Sequence, residues 1–174
     1  HGKDLTKGGA KYNIGPVITG IGIAVVANSL ADIKKLVFEE KSVTMAEIID
    51  AINNNWEGYD ELRAKVQAAP KYGNDDDYVD DIAREIGNFF YQEVHKYKDI
   101  NGNHFLSAFM GISNYLPTGK VLGATPDGRK ATEPISEGVS PYVGTDTSTP
   151  LAAMRSAAKL NQDIHRSEEH TSEL

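Results

Sequence analysis

The longest periodic segment of the chain, residues 76–97, constrains the fold more than any other part of the sequence. Its apolar residues recur at three- and four-residue steps, the spacing that places them on one face of an α-helix. These residues are Val79, Ile82, Ala83, Ile86, Phe89, Phe90, Val94 and Tyr97. Acidic residues gather at the start of the segment and His95, Lys96 and Lys98 at its end, which suits the helix dipole. The segment is therefore predicted to be a long helix with one buried face.

Three shorter helices are predicted before it. Residues 18–40 are expected to be helical for most of their length, with Ser29 and Asp32 as a loose capping pattern. The stretch Thr44–Glu47 is a capping box, in which the threonine and glutamate side chains each bind the other residue's backbone N–H. A further helix, residues 59–69, is predicted to stop at the proline that follows it.

A last helix is predicted to start near Pro150. Thr149 precedes it as the cap, and the proline is tolerated in the first turn because its missing N–H would have no partner there. The residues expected to face inward are Leu151, Met154, Ala158 and Leu160.

Residues 105–115 are rich in aromatic and apolar side chains and are bounded by turn residues. This pattern predicts a β-strand covered on both faces. Because side chains alternate along a strand, four of its residues are expected on one face and Asn114 on the other. The four are Phe109, Gly111, Ser113 and Tyr115.

The segment 123–141 contains three prolines and three glycines and has no regular apolar period, so it is predicted to make turns. Its sequence TPDGR suits a type I or II turn, with Pro126 in the second position and Gly128 in the fourth. Arg129 could tie this turn either to a carboxylate or to carbonyl oxygens. A structural role for the turn is favoured over substrate contact.

Composition excludes several classes of protein. The 174 residues have the length of one domain, and the net charge of −7 argues against nucleic-acid or polybasic membrane contacts. There is no cysteine, so disulfides, thiolate metal sites and a cysteine nucleophile are excluded within these residues. The longest apolar run, residues 18–27, is too short for a membrane span, which needs about 20 residues.

No complete active site is visible in the motifs. The acidic run 72–81 lacks the glycine and glutamate positions of an EF-hand loop, so an acidic helix N-terminus is favoured over a cation site. The histidines show no metal-ligand spacing, and His104 is interpreted as an ordinary strand-end residue rather than one lining a cleft. The glycine-rich start of the chain lacks the GK[ST] ending of a phosphate loop.

Five blocks of the sequence resemble the glycyl radical enzymes, the pyruvate formate-lyase-like family. They are GGAKYN (8–13), SLADIKKLVFEE (29–40), PKYGNDDDYVDDIA (70–83), GATPDGRKATEPISEGVSP (123–141) and STPLAAMRSAAKLN (148–161). The blocks occur in the family's order, and the third and fourth together are a specific signal. The residues 138–161 are most similar to the hydroxyproline dehydratase branch, with the glycerol dehydratases beside it.

The resemblance implies an α/β fold, in which this chain is a helix-rich fragment of the family's ten-stranded α/β barrel and residues 1–165 are a partial pyruvate formate-lyase-like domain. It implies a glycyl radical installed by a radical-SAM activase and passed to a cysteine, whose thiyl takes a hydrogen atom from the substrate. The cysteine and glycine loops both belong to parts of the family outside these residues. We therefore expect no catalytic residue, bound cofactor or metal in this fragment, and no activity from it alone.

The function implied by the resemblance is loss of water from a small hydroxylated metabolite, with trans-4-hydroxy-L-proline the first choice. A glycerol or diol dehydratase and a formate C-acetyltransferase stay open as alternatives, as does a non-catalytic helical interaction module. The partners implied are the small-molecule substrate, the activase and a second copy of the full-length chain, in the cytoplasm, with no nucleic acid and no membrane.

The resemblance also implies which residues contact the substrate, because the strand that matches residues 109–115 runs through the barrel wall. Ser113 is the first candidate for a polar contact. Asn114, Phe109 and Thr118 follow it. For Ser113, an ordinary hydrogen bond to a neighbouring backbone group is an equally weighted alternative.

The resemblance ends at His165, where a glycine-rich continuation would be expected. The sequence RSEEHTSEL, residues 166–174, follows instead. We interpret these residues as the translation of a sequencing-adapter read, so we expect a tail that does not belong to the native protein.

Sequencing of the source DNA across the Ile164 codon should therefore show a glycine-rich continuation in place of RSEEHTSEL. The reason is that the adapter-encoded residues replace native codons in this interpretation. A native stop codon directly after Leu174 would contradict it.

Overall fold

The structure is a computed structural model that describes residues 2–4, 9 and 16–167. Most of the block 8–13, and the predicted tail beyond Ser167, lie outside the described residues. In chain order the elements are β1 (Val17–Thr19), α1 (Ile23–Asp32), a π-helix (Ile33–Glu39), α2 (Met45–Asn53), α3 (Asp60–Ala68), α4 (Asp77–His95), β2 (Leu106–Phe109), α5 (Tyr115–Val121), α6 (Pro150–Lys159), a 3₁₀ turn (Gln162–Ile164) and β3 (Arg166–Ser167).

The predicted long helix is confirmed as α4. Asp76 caps it by accepting a hydrogen bond from the Tyr78 backbone N–H at 2.9 Å. Much of the predicted stripe is buried or half-buried against the core, but Phe89 is 62 % exposed and Tyr97, beyond the helix end, is 65 % exposed. The apolar stripe is thus wider than the face that this chain covers.

The capping box before α2 is confirmed. The Glu47 N–H donates to Thr44 Oγ1 at 3.2 Å, and the Thr44 N–H donates to the Glu47 carboxylate at 2.7 Å. The predicted capping role of Ser29 is wrong. This residue lies inside α1, where its hydroxyl is buried and donates to the Val25 carbonyl at 2.7 Å.

The cap of α6 is confirmed, since Thr149 Oγ1 accepts from the Ala152 N–H at 3.2 Å. Its predicted inward face is wrong except for Leu160, which is 3 % exposed. Leu151, Met154 and Ala158 are exposed. The face that packs inward carries Ala152 and Ser156, because Ser156 and Lys159 bind Asp80 of α4 and so set the orientation of α6.

The predicted strand is too long. It ends at Phe109, and the chain then turns into α5, so the expected common face of Phe109, Gly111, Ser113 and Tyr115 does not form. The N–H groups of Leu116 and Thr118 donate to local carbonyls, at Ser113 and Asn114, instead of to a neighbouring strand.

The three strands form a parallel sheet in the order β1-β2-β3. Helices α1 and α4 pack together, and α4 lies against β2. Alternation along the strands separates a helix-covered face, which carries Ile18, Gly20, Ser107 and Phe109, from an open face, which carries Val17, Thr19, Leu106, Ala108 and Met110.

Two apolar clusters form the core. The first joins α1, α4 and β2, and includes Ile23, Ala27, Val79, Ala83 and Phe109. The second lies beneath α2 and α3 and surrounds the fully buried Trp56. Within residues 16–167 no helix is long and apolar enough to cross a membrane.

We predict that the isolated 174-residue chain aggregates or behaves as a molten globule. Large apolar side chains are exposed on several elements, among them Phe38 at 64 %, Phe89 at 62 % and Met154 at 64 %, and in the part of the chain that the structure describes the outer strands β1 and β3 have no further neighbour. Size-exclusion chromatography, dye binding and thermal melting measure this. A sharp cooperative melt from a monomer would refute the prediction.

Candidate functional site

The candidate site lies at the carboxyl ends of β1 and β2, where parallel sheets of α/β proteins bind their ligands. Gly20 follows β1 there, and its N–H donates to the Ala108 carbonyl at 2.8 Å. A Cβ on Gly20 would lie 2.7 Å from Phe109 Cε1, so glycine at this position lets the Phe109 ring pack closely against the backbone after β1. The close contact fixes the Phe109 ring against β1.

Phe109 is one of the predicted substrate contacts, and its side chain is only 4 % exposed. Its ring centroid is 5.4 Å from that of Phe90 and 4.8 Å from that of His165. The ring therefore faces the helix layer and packs there. This position gives Phe109 a packing role and corrects its expected placement with Ser113.

Ser113, Asn114 and Thr118 lie together just beyond the carboxyl end of β2. Ser113 and Asn114 are exposed in the turn before α5, and Thr118 is half-buried within that helix. The structure thus brings these three predicted residues to one rim of the sheet and separates them from Phe109.

A buried histidine and serine connect β2 to the segment before β3. Ser107 Oγ lies 2.8 Å from His165 Nδ1, and the two residues are 1 % and 5 % exposed. Burial lowers the pKa of His165, which favours the neutral imidazole. This pair holds the end of the described chain to the sheet.

His104 lies away from this rim. Its ring stacks on that of His95, with centroids 4.2 Å apart, and its Nδ1–H donates to the His95 carbonyl at 2.6 Å. It is therefore a packed residue at the strand end, which agrees with the ordinary role expected from the sequence.

The TPDGR turn is closed by a hydrogen bond from the Gly128 N–H to the Thr125 carbonyl at 3.1 Å. Arg129 is 1 % exposed, and its guanidinium donates to the carbonyls of Lys130 at 3.0 Å and Glu133 at 2.7 Å, and to that of Gly123. The sequence left open whether Arg129 binds a carboxylate or carbonyl oxygens, and the structure shows that it binds carbonyl oxygens. It holds the loop on a fixed path.

A buried ion pair connects α1 to the end of α3. Lys71 Nζ lies 2.7 Å from Asp32 Oδ1, with side-chain exposures of 5 % and 1 %. The ammonium also donates to the carbonyls of Val66 at 2.6 Å and Ala69 at 3.2 Å. Burial raises the pKa of Asp32 to about 7, although the charge and the hydrogen bond of Lys71 oppose the rise.

The acidic run 72–81 binds α6. Lys159 Nζ lies 2.8 Å from Asp75, 2.7 Å from Asp77 and 2.8 Å from Asp80. Asp80 is fully buried and also accepts from the Ser156 hydroxyl at 3.0 Å. The run is thus a helix N-terminus paired with a lysine of the same chain, and no group of side chains suited to a metal occurs among the described residues.

A cleft of about 690 Å³ lies between the end of α3, the TPDGR turn and residues 142–147. Its most buried cations, Lys71 and Arg129, already donate to oxygens of the chain. Burial also raises the pKa of Asp127, against the opposing hydrogen bond from Thr125. The cleft is therefore a surface of internally satisfied polar groups.

Sequence reasoning missed both ionic clusters, because their partners lie far apart in the chain: Lys71 from Asp32, and Lys159 from Asp75–Asp80. One signal was present. Asn28 and Asp32 are one helical turn apart and fall on the same side of α1 as the buried Ala24 and Ala31. Polar residues on such a buried stripe require partners.

Comparison with known proteins identifies the family. Residues 1–119 match the family model described as pyruvate formate lyase-like. The trans-4-hydroxy-L-proline dehydratase of Clostridioides difficile is 40 % identical over 161 residues, which cover 92 % of this chain and 20 % of that enzyme. The isethionate sulfite-lyase of Bilophila wadsworthia is 41 % identical over 136 residues, which cover 78 % of this chain and 16 % of the relative.

A solved structure supports the same assignment. The glycerol-bound form of the B12-independent glycerol dehydratase from Clostridium butyricum superposes with a TM-score of 0.89 at 41 % sequence identity, and the match covers 94 % of this chain and 21 % of that one. This chain belongs to the pyruvate formate lyase-like family of glycyl radical enzymes. It is a helix-rich α/β piece that spans about a fifth of the length of its relatives, which include dehydratases and other lyases.

We predict that Lys71→Met weakens the packing between α1 and α3. The change leaves the buried Asp32 carboxylate without its cation, which costs about 3–5 kcal/mol for buried pairs. Hydrogen exchange of α1 and α3 amides in the intact enzyme should accelerate sharply. Lys96→Met is the matched control, because its pair with Glu93 is exposed and should contribute almost nothing. Equal exchange in the two variants would contradict the prediction.

Proposed function

We propose that this chain is part of a glycyl radical dehydratase, a C–O lyase that removes water from a small hydroxylated metabolite such as trans-4-hydroxy-L-proline. The observation that carries the proposal is the 40 % identity to the hydroxyproline dehydratase over nearly the whole chain. The similarity of its structure to a glycerol dehydratase supports the same reaction type.

In the reaction proposed for the intact enzyme, a cysteine thiyl, formed from a glycyl radical, removes a hydrogen atom from a substrate carbon. The neighbouring C–O bond then breaks, and the hydroxyl leaves as water with a proton supplied by an acid. The thiol finally returns the hydrogen atom to the product radical. The cysteine is supplied by polypeptide beyond this chain, which has none.

The role of this chain is to build part of the wall around that reaction. The predicted contacts Ser113, Asn114 and Thr118 lie on the rim beyond β2, where they can donate and accept hydrogen bonds with a hydroxylated substrate. Phe109 contributes by fixing the wall, since its ring is enclosed on the helix-covered face. The buried Arg129 network keeps the following loop in place.

The proposal extends to partners of the whole enzyme. A radical-SAM activase installs the radical, two copies of the full-length chain form a homodimer, and the enzyme works in the cytoplasm under anaerobic conditions. The net charge of −7 gives no support for nucleic-acid binding.

Glycerol or a related diol is the second candidate substrate, because the superposed glycerol dehydratase is as similar in sequence as the hydroxyproline enzyme. A formate C-acetyltransferase has no comparable support among the relatives described above. A non-catalytic helical module is disfavoured, since the relatives of this chain are enzymes.

The decisive experiment is anaerobic activation of the intact enzyme with its activase and S-adenosylmethionine. We expect a glycyl radical signal in the EPR spectrum and a higher kcat/KM for trans-4-hydroxy-L-proline than for glycerol or propane-1,2-diol. A radical enzyme that prefers a diol would overturn the substrate assignment. An intact gene that encodes neither a cysteine loop nor a radical-site glycine would overturn the catalytic proposal itself.

A further inference from the structure

We infer that Thr19 and Met110, at the carboxyl ends of β1 and β2, are specificity-determining residues that line the substrate pocket of the intact enzyme. This inference rests on the proposed function and names two residues of its site that the sequence did not single out. It follows from which face of the sheet the helices cover.

The helix-covered face is fixed by close contacts. The Phe109 ring lies against Phe90 of α4, and an added Cβ on Gly20 would come within 3.2 Å of Phe90 Cε1. His165 packs on the same side, because its ring contacts Phe109 and Ser107. Helices α1 and α4 therefore lie on this side of the strands.

The open face has different surroundings. Val17 is 44 % exposed, and Thr19, Leu106 and Met110 are half-buried, whereas Ser107 and Phe109 on the other face are 1 % and 4 % exposed. Register confirms that the open-face residues of the two strands are neighbours: Val17 pairs with Leu106 and Thr19 with Ala108. Two residues depart from this division: Ile18, on the edge strand, is 41 % exposed although it belongs to the helix-covered face, and Ala108, on the central strand, is fully buried although it belongs to the open face.

The open face is the inner wall of the barrel. The solved relatives are α/β barrels, and in such barrels the helices surround the strands, so the face without helices points inward. In parallel α/β sheets and (β/α)8 barrels, ligand sites form at the carboxyl ends of the strands. Of the open-face residues, Thr19 ends β1 and Met110 directly follows β2, while Ala108 beside Thr19 is fully buried.

Their chemistry suits a small, partly hydroxylated substrate. Within residues 16–167 no side chain or backbone group makes a hydrogen bond with the Thr19 hydroxyl, which leaves it available as donor and acceptor for a ligand. Met110 supplies a flexible apolar side chain that adapts to the carbon skeleton of a ligand. Backbone atoms of Met110 and Gly111 lie close to Gly138, so the loop 133–141 supports this part of the wall.

The test uses a chimera in which this chain replaces the matched segment of the Clostridioides difficile hydroxyproline dehydratase. Binding of trans-4-hydroxy-L-proline, and of a hydroxypipecolate with one more ring methylene, is measured calorimetrically before activation, and kcat/KM is measured after it. Thr19→Val removes one neutral hydrogen bond and should weaken binding of hydroxyproline about three- to tenfold. Met110→Ala should shift the preference toward the larger ring by about tenfold or more.

Two variants on the same face but at the amino ends serve as controls. Val17→Ala lies two residues before Thr19, about 7 Å along β1, and Leu106→Ala lies four residues before Met110, about 13 Å along β2. Both truncate a side chain on the same face and should leave the two Kd values and their ratio unchanged. Unaltered Kd values in Thr19→Val and Met110→Ala, or equal changes in the controls, would overturn the inference. Because binding is measured without the radical, a chimera that binds but does not dehydrate would count against the proposed function alone.

Discussion

The packing of one aromatic ring determines how the rest of this chain is arranged. Phe109 fills the space between β1, α4 and the segment before β3, and Gly20 permits this because it carries no side chain where the ring passes. This contact sets α4 on one face of the sheet, and the described residues of the other face are, apart from Ala108, at least partly exposed. The packing of the Phe109 ring therefore decides which face of the sheet the helices cover, although the ring itself does not face the proposed pocket.

Long-range ionic contacts complete the arrangement. Lys71 connects α1 with the end of α3, and Lys159 connects α6 with the start of α4. Lys71 provides a partner for the buried Asp32 carboxylate, and Lys159 provides one for the buried Asp80 as well as for the more exposed Asp75 and Asp77. A buried carboxylate without a partner carries a large penalty in a protein interior. Apolar clusters supply the general attraction between the elements, while these pairs select one arrangement of the helices.

Local signals in the sequence predicted most of the helices, but not α5, and they placed the start of the first helix on residues that form β1. The long stripe of α4, the Thr44–Glu47 box and the Thr149 cap are properties of neighbouring residues, so they can be recognised without knowledge of the fold. The strand failed because its end depends on distant residues: the loop around Gly138 lies against Met110 and Gly111. The inward face of α6 failed because Ser156 and Lys159 bind Asp80, so that a polar surface is turned inward where an apolar one was expected.

The π-helix that follows α1 has a consequence for how this chain tolerates change. Each of its turns contains more residues than an α-helical turn, as in the hydrogen bond from the Glu40 N–H to the Lys35 carbonyl at 2.8 Å, five residues earlier. Deletion of a single residue here would restore ordinary α-helical geometry without breaking the helix. A deletion between Ala31 and Leu36 would also change the spacing between a residue of the first core and a residue of the second. The π-helix thus connects the two cores at a residue spacing that a regular α-helix does not provide.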